Sequence, residues 1–225
     1  MRASYLLVLL VGCATATSST DLTGDAHPPI DARPGSDAAP HADGAVHPDG
    51  SPGVDAPAGS CATPVTGMIA TWNFASASGS QTSTPSSAQA SGVTAGDVSR
   101  SAGLVAAAGA MSINSTSWPL TATLDATKYY TFTVTPPAGC ALDLTSMSID
   151  TKASASGPAS GAVATSADSF VATTSVATNS TTGMPSLAVS GATGPVEVRV
   201  YGYMATSASG TFRIENALIL SGSLH

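Results

Sequence analysis

A chain of 225 residues with 9% charged and 5% aromatic side chains and a formal net charge of −7 has length for one sizeable folded domain, yet lacks the Lys- and Glu-rich surface usual in cytosolic enzymes. The charge is unevenly spread. Between residues 14 and 60 seven Asp face Arg33 alone, whereas from residue 61 onward seven acids (Asp97, Asp125, Asp143, Asp150, Asp168, Glu197, Glu215) stand against five bases (Arg100, Lys128, Lys152, Arg199, Arg213), so the second part is nearly neutral and has no basic footprint for nucleic acid.

The first thirteen residues have the parts of a compact secretory signal: Arg2 is a positive start, Leu6 to Val11 an unbroken apolar run, and Gly12 a small residue ahead of Cys13. That run is far shorter than the roughly twenty residues a helix needs to cross a bilayer, so it reads as a targeting signal over residues 1–12. The ending Leu10-Val11-Gly12-Cys13 resembles the lipobox of bacterial lipoproteins. The resemblance implies cleavage before Cys13, lipidation of Cys13, and attachment to the membrane through its acyl chains, which anchor stably when there are several. Ala14 stands where an Asp marks inner-membrane retention in such lipoproteins, which points to the outer membrane or cell surface of a bacterial envelope. An ordinary cut after Ala14 to Ala16 is the alternative.

Residues 13–60 read as a tether. Asp25, Asp31, Asp37, Asp43, Asp49 and Asp55 recur every six residues, each followed by Ala or Gly, with Pro and His filling much of the interval. Six fits neither a helix nor a strand, and an acidic, Pro-rich stretch without aromatics buries too little to offset its ordering entropy, so it is expected to be disordered. In extended form it reaches on the order of 100 Å at about 3.1 Å per residue. His27, His41 and His47 have no scaffold to converge them on a metal.

Cys61 and Cys140 form an even pair once Cys13 is lipidated, and in an exported chain the natural reading is a disulfide. From Cys61 to His225 short β-type runs alternate with Gly, Pro, Ser and Asn, and no long amphipathic helix is visible. Strands are expected at Met68 to Phe74, Gly92 to Ser99, Leu104 to Ala108, Met111 to Asn114, Tyr129 to Thr135, Leu142 to Asp150, Phe170 to Val176, Leu187 to Ser190, Pro195 to Met204 and Thr211 to Leu220. In the fifth, Tyr130, Phe132 and Val134 alternate with Thr131, Thr133 and Thr135. In the sixth, the apolar phase flips near Ser146, which predicts a β-bulge or a crossing of the strand between sheets. Many short alternating strands argue an all-β fold, an antiparallel two-sheet β-sandwich.

The segments Thr71-Trp72-Asn73-Phe74, Lys128 to Val134, Val198 to Tyr203 and Phe212 to Asn216 resemble a jelly-roll module of bacterial secreted and cell-surface proteins, similar in shape to carbohydrate-binding jelly rolls. The resemblance spans about Gly67 to Leu224 and carries no catalytic residue over to this chain. Outward Tyr129, Tyr201 and Tyr203, with Trp118 before Pro119, are candidates to stack on sugar rings while Glu197 and Arg199 bond hydroxyls. Asn73 and Glu215 offer oxygens for a structural Ca²⁺; no other cofactor is expected.

Three functions compete: display of a non-catalytic sandwich for carbohydrate binding or adhesion, an assembly module pairing with other surface proteins, and a glycan hydrolase built on two of Asp143, Asp150, Glu197 and Glu215. The last histidine, His225, is terminal, which leaves a serine triad without a held base. Labelled palmitate fed to producing cells should appear on this chain and be lost in Cys13→Ser. A wild-type chain without label would overturn the lipobox reading.

Overall fold

The computed structural model describes residues 61–225; the signal segment, Cys13 and the tether lie outside the described residues. The described part is built from strands and one turn of 3₁₀ helix, Ser166–Asp168. In chain order β1 (Val65–Asn73) is followed by short pieces, β2 (Ser78–Gly79), β3 (Ser83–Thr84), β4 (Ala88–Gln89), β5 (Thr94–Ala95), β6 (Val98–Arg100) and β7 (Val105–Ala106). Then come β8 (Ser112–Thr116), β9 (Tyr129–Thr135), β10 (Leu142–Ala153), β11 (Pro158–Thr165) and β12 (Thr174–Val176). The chain closes with β13 (Asn179–Gly183), β14 (Ser186–Ala192), β15 (Val196–Ala205) and β16 (Phe212–Leu224).

These strands form two sheets, antiparallel throughout except where β2 runs parallel to β8. The nine-stranded sheet has the order β13-β10-β16-β1-β4, with β14 beside β10, β8 beside β16, and β2 and β7 beside β8. The seven-stranded sheet has the order β12-β11-β15-β9-β6-β3, with β5 beside β9. The fold is thus the two-sheet β-sandwich expected from the alternation.

The inner faces meet through a small set of large side chains. Trp72 and Phe132 are buried with ring centroids 4.6 Å apart, and the Trp72 Nε1–H crosses to the Gly96 carbonyl beside the other sheet at 2.9 Å. A second aromatic group joins Trp118, Tyr130 and Phe212, with Trp118 edge-on to both partners at 5.3 and 5.4 Å. The buried Tyr130 hydroxyl donates to the Phe212 carbonyl, and burial pushes its pKa well above the ordinary tyrosine range, so it remains a donor.

The central strand is β16. Its first half pairs with β8 and its second with β1, while β10 runs along its other side. Asn216, at φ 59°, marks the changeover: the register passes from Asp150↔Glu215 to Ile149↔Leu218, skipping two residues and so keeping Ile214 and Leu218 on one face. The bulge expected near Ser146 is present, because Leu144 pairs with Gly222 and Ser146 with Ser221. There β10 comes so close that a Cβ on Gly222 would lie 1.9 Å from the Asp143 carbonyl oxygen.

The expected strands are present with shifted ends, and Tyr129–Thr135 matches residue for residue. Five others were not anticipated, the two-residue β2, β3 and β4 and the longer β11 and β13, and Phe170 belongs to a turn and not to β12. Cys61 and Cys140 form a disulfide with Cα atoms 4.4 Å apart and a sequence separation of 79. Closing a loop of that length stabilises the fold by about 4–5 kcal/mol in the chain-entropy account. Reduction, or the paired change of both cysteines to Ser, should therefore lower the urea midpoint of a reversible unfolding curve, and an unchanged midpoint would contradict this.

Candidate binding surface

The outer face of the seven-stranded sheet gathers most of the aromatic and charged residues singled out in the sequence. Alternation along β15 turns Glu197, Arg199, Tyr201 and Tyr203 outward, and register sets Tyr201 against Tyr129 and Arg199 against Thr131 of β9. Across the other edge of β15, Tyr201 and Arg199 face Ala162 and Ala164 of β11. These small neighbours leave room for long side chains to lie flat on the sheet. Tyr201 is only 2% exposed as a result.

Arg199 is the hub. Its guanidinium carbon lies 4.3 Å from the centre of the Tyr129 ring and 3.7 Å from that of Phe170, so it contacts both rings. Tyr201 meets Tyr129 edge-on at 5.6 Å. Glu197 fixes the guanidinium through Nε–H to Oε1 at 2.7 Å and Nη2–H to Oε2 at 3.3 Å, and the Thr131 hydroxyl donates to the same Oε1 at 2.8 Å. Hydrogen bonding to Glu197 is the main cause that raises the Arg199 pKa. Burial acts to raise the Glu197 pKa, but the hydrogen bonds from Arg199 and Thr131 and the Arg199 charge outweigh it and hold the carboxyl below its usual range.

Phe170 arrives by an unusual backbone. After the 3₁₀ turn, Ser169 and Phe170 both adopt φ 62°, a left-handed conformation that costs energy for an L-residue. The turn is tied by Ser169 N–H and Phe170 N–H to the carbonyls of Ser166 and Thr165, and by the Ala172 N–H to Asp168 Oδ2 at 2.7 Å. It brings Phe170 onto Arg199 and leaves Val171 82% exposed beside it. Sequence reasoning placed Phe170 in a strand. The signal for the turn was the Asp168-Ser169 pair just before it.

The other candidates lie elsewhere. Trp118 does not join the surface: it is 1% exposed, its Nε1–H donates to the Ser115 carbonyl at 2.9 Å, and it packs between Tyr130 and Phe212 in the core. Tyr203 follows Tyr201 on the outward phase, half-buried and opposite Ser160. The Ca²⁺ candidates are each used within the protein: Asn73 Oδ1 accepts the Ala75 N–H at 2.8 Å, and Glu215 Oε2 lies 2.7 Å from Arg213 Nε. Among the described residues, no three His, Cys, Asp or Glu side chains gather as a metal site.

Of the four carboxylates considered for hydrolysis, Asp150 and Glu215 are register partners on the nine-stranded sheet, and Glu197 is on the opposite sheet. Asp150 accepts from the Thr182 N–H and from Asn216 Nδ2, while Asp143 accepts the Gly191 N–H at 2.7 Å, which is the leading cause of its lowered pKa.

A carboxylate whose pKa is lower in the folded than in the unfolded state stabilises the fold above its unfolded value, about 4.3, and loses that contribution as pH falls through the folded value. Comparing wild type with Glu197→Gln, the difference in stability should shrink on acidification below about pH 4. A difference constant from neutral pH to pH about 2 would contradict the ion pair. Comparison of the chain with protein-family models, with curated proteins and with solved structures gave no match.

Proposed function

We propose that this chain is a lipid-anchored protein of the bacterial cell envelope that displays a non-catalytic β-sandwich, and that the outer face of the seven-stranded sheet binds carbohydrate. The observation that carries the binding reading is the Phe170–Arg199–Tyr129 stack. A turn holding two residues at φ 62° delivers Phe170 onto a guanidinium that a sheet-borne glutamate already fixes. Strained backbone is maintained where surrounding structure over-determines it, and such places cluster at binding sites. Rings with apolar faces beside a bidentate Arg–Glu pair suit a ligand with an apolar ring face and a hydroxylated edge, which is the chemistry of a sugar.

Adhesion follows from the same surface if the sugar belongs to another cell or to a matrix. The lipid anchor rests on the Leu10 to Cys13 motif, and the polar, proline-rich run after it is suited to hold the module away from the membrane.

Electrophoresis of the protein through gels containing neutral polysaccharides (a xylan, a β-glucan, a starch) tests the binding reading. At least one polymer should retard wild type, and Phe170→Ala and Tyr129→Ala should each abolish the retardation while leaving the strand circular dichroism intact. Retardation by none of the polymers, or retardation indifferent to both substitutions, would overturn the assignment of this face.

A further inference from the structure

The outer face of the nine-stranded sheet carries a separate polar groove. Register lines up Asn179, Lys152, Arg213 and Asn114 in one row across β13, β10, β16 and β8, and the next row brings Asp150 beside Glu215. Two adjoining depressions share Lys152. One, of about 320 Å³, is lined by Thr151, Asn179, Ser180, Thr181 and Glu215. The other, of about 160 Å³, is lined by Ala153, Ser154, Thr211 and Arg213. Together they are of the size that takes one or two sugar rings.

The charges around the groove are engaged, with one exception. Arg213 is held by Glu215 at 2.7 Å and roofed by the 107–111 loop, where a Cβ on Gly109 would come within 3.2 Å of Arg213 Nη1. Asp150 is satisfied by the Thr182 N–H and by Asn216 Nδ2 at 2.9 Å. Lys152 is exposed and has no carboxylate within ion-pair distance among the described residues. Its ammonium is the free charge of a groove otherwise lined by hydroxyls, an amide and an internally paired Arg–Glu.

We propose that this groove binds a carboxylated sugar unit of an acidic polysaccharide, with Lys152 taking the carboxylate. Thr181, Ser180 and Ser154 offer hydroxyls, and Asn179 an amide, to the ring hydroxyls. The lining contains no aromatic ring, so recognition rests on charge and hydrogen bonds rather than stacking. A single ammonium flanked by Asp150 and Glu215 matches one negative charge and repels a dianion, which favours a uronate over a phosphate monoester. The site lies on the opposite sheet from the Arg199 stack and does not depend on it.

Polygalacturonate, with its fully methyl-esterified form as the uncharged control, is the probe, and the full chain is the protein tested. Polygalacturonate in the gel should retard the wild type and the methyl ester should not. Lys152→Gln should weaken the interaction about tenfold, as loss of one hydrogen bond to a charged group does, Lys152→Arg should restore much of it, and Phe170→Ala should leave it unchanged. Absence of retardation by polygalacturonate, or equal retardation by its ester, would overturn the proposal. Retention of binding in Lys152→Gln with loss in Phe170→Ala would overturn it as well, while sustaining the carbohydrate reading of the other sheet.

Discussion

Two hydrogen bonds from aromatic side chains hold the sandwich in its alignment. Trp72, rooted in the nine-stranded sheet, donates to Gly96 beside the seven-stranded one, and Tyr130, rooted in the seven-stranded sheet, donates to Phe212 in the other. Each buries a large ring and places its polar tip on a backbone carbonyl across the core, so each contributes apolar area and a direction at once. In a chain with so few aromatics, apolar burial alone would let two smooth Ala-, Val- and Ser-rich sheets slide past each other. The crossed bonds fix which residue faces which, and the outward positions on both sheets inherit that precision.

A similar economy governs the charges. Arg100 spends its guanidinium on backbone, donating to the carbonyls of Gly79, Gln81 and Asn114 and to the Ser115 hydroxyl, and burial lowers its pKa somewhat. It ties the irregular 78–84 segment to β6 and β8 without any carboxylate. Two oppositely charged pairs lie on the outer faces, Glu197 with Arg199 on one sheet and Glu215 with Arg213 on the other. A surface dominated by Ser, Thr and Ala makes these few charged places the positions at which a ligand can be distinguished from water.

What the sequence disclosed follows from how strongly each segment alternates. Tyr129–Thr135 places bulky apolar residues against threonines and was legible to the residue, and the phase flip in Leu142–Ala153 announced its bulge. Pro158–Thr165 was invisible because between its Pro and Thr ends it is made of Ala, Gly, Ser and a single Val. The reason lies on its neighbour: Ala162 and Ala164 must be small to leave space beside Tyr201 and Arg199, so a strand selected for what lies next to it loses the pattern that would reveal it. The candidate surface was legible in part for the same reason. Tyr129, Glu197, Arg199 and Tyr201 share a face by simple alternation, whereas Trp118 lies in a loop just past β8 and yet is buried between Tyr130 and Phe212. Phe170 depends on two left-handed residues that have no glycine to mark them.

The sulfur bridge between Cys61 and Cys140 has a mechanical meaning. Tension applied to the chain on the N-terminal side of Cys61 divides there, and part of it passes directly to the foot of β10, whose neighbour β16 runs the length of the sheet. Residues 62–139, which include β1, the Trp72 donor and the Tyr129 ring, are then a closed loop off the line of pull. Load passed to β10 continues along the chain through β11, which pairs with β15, so the pairing of β1 with β16 is spared from being peeled away.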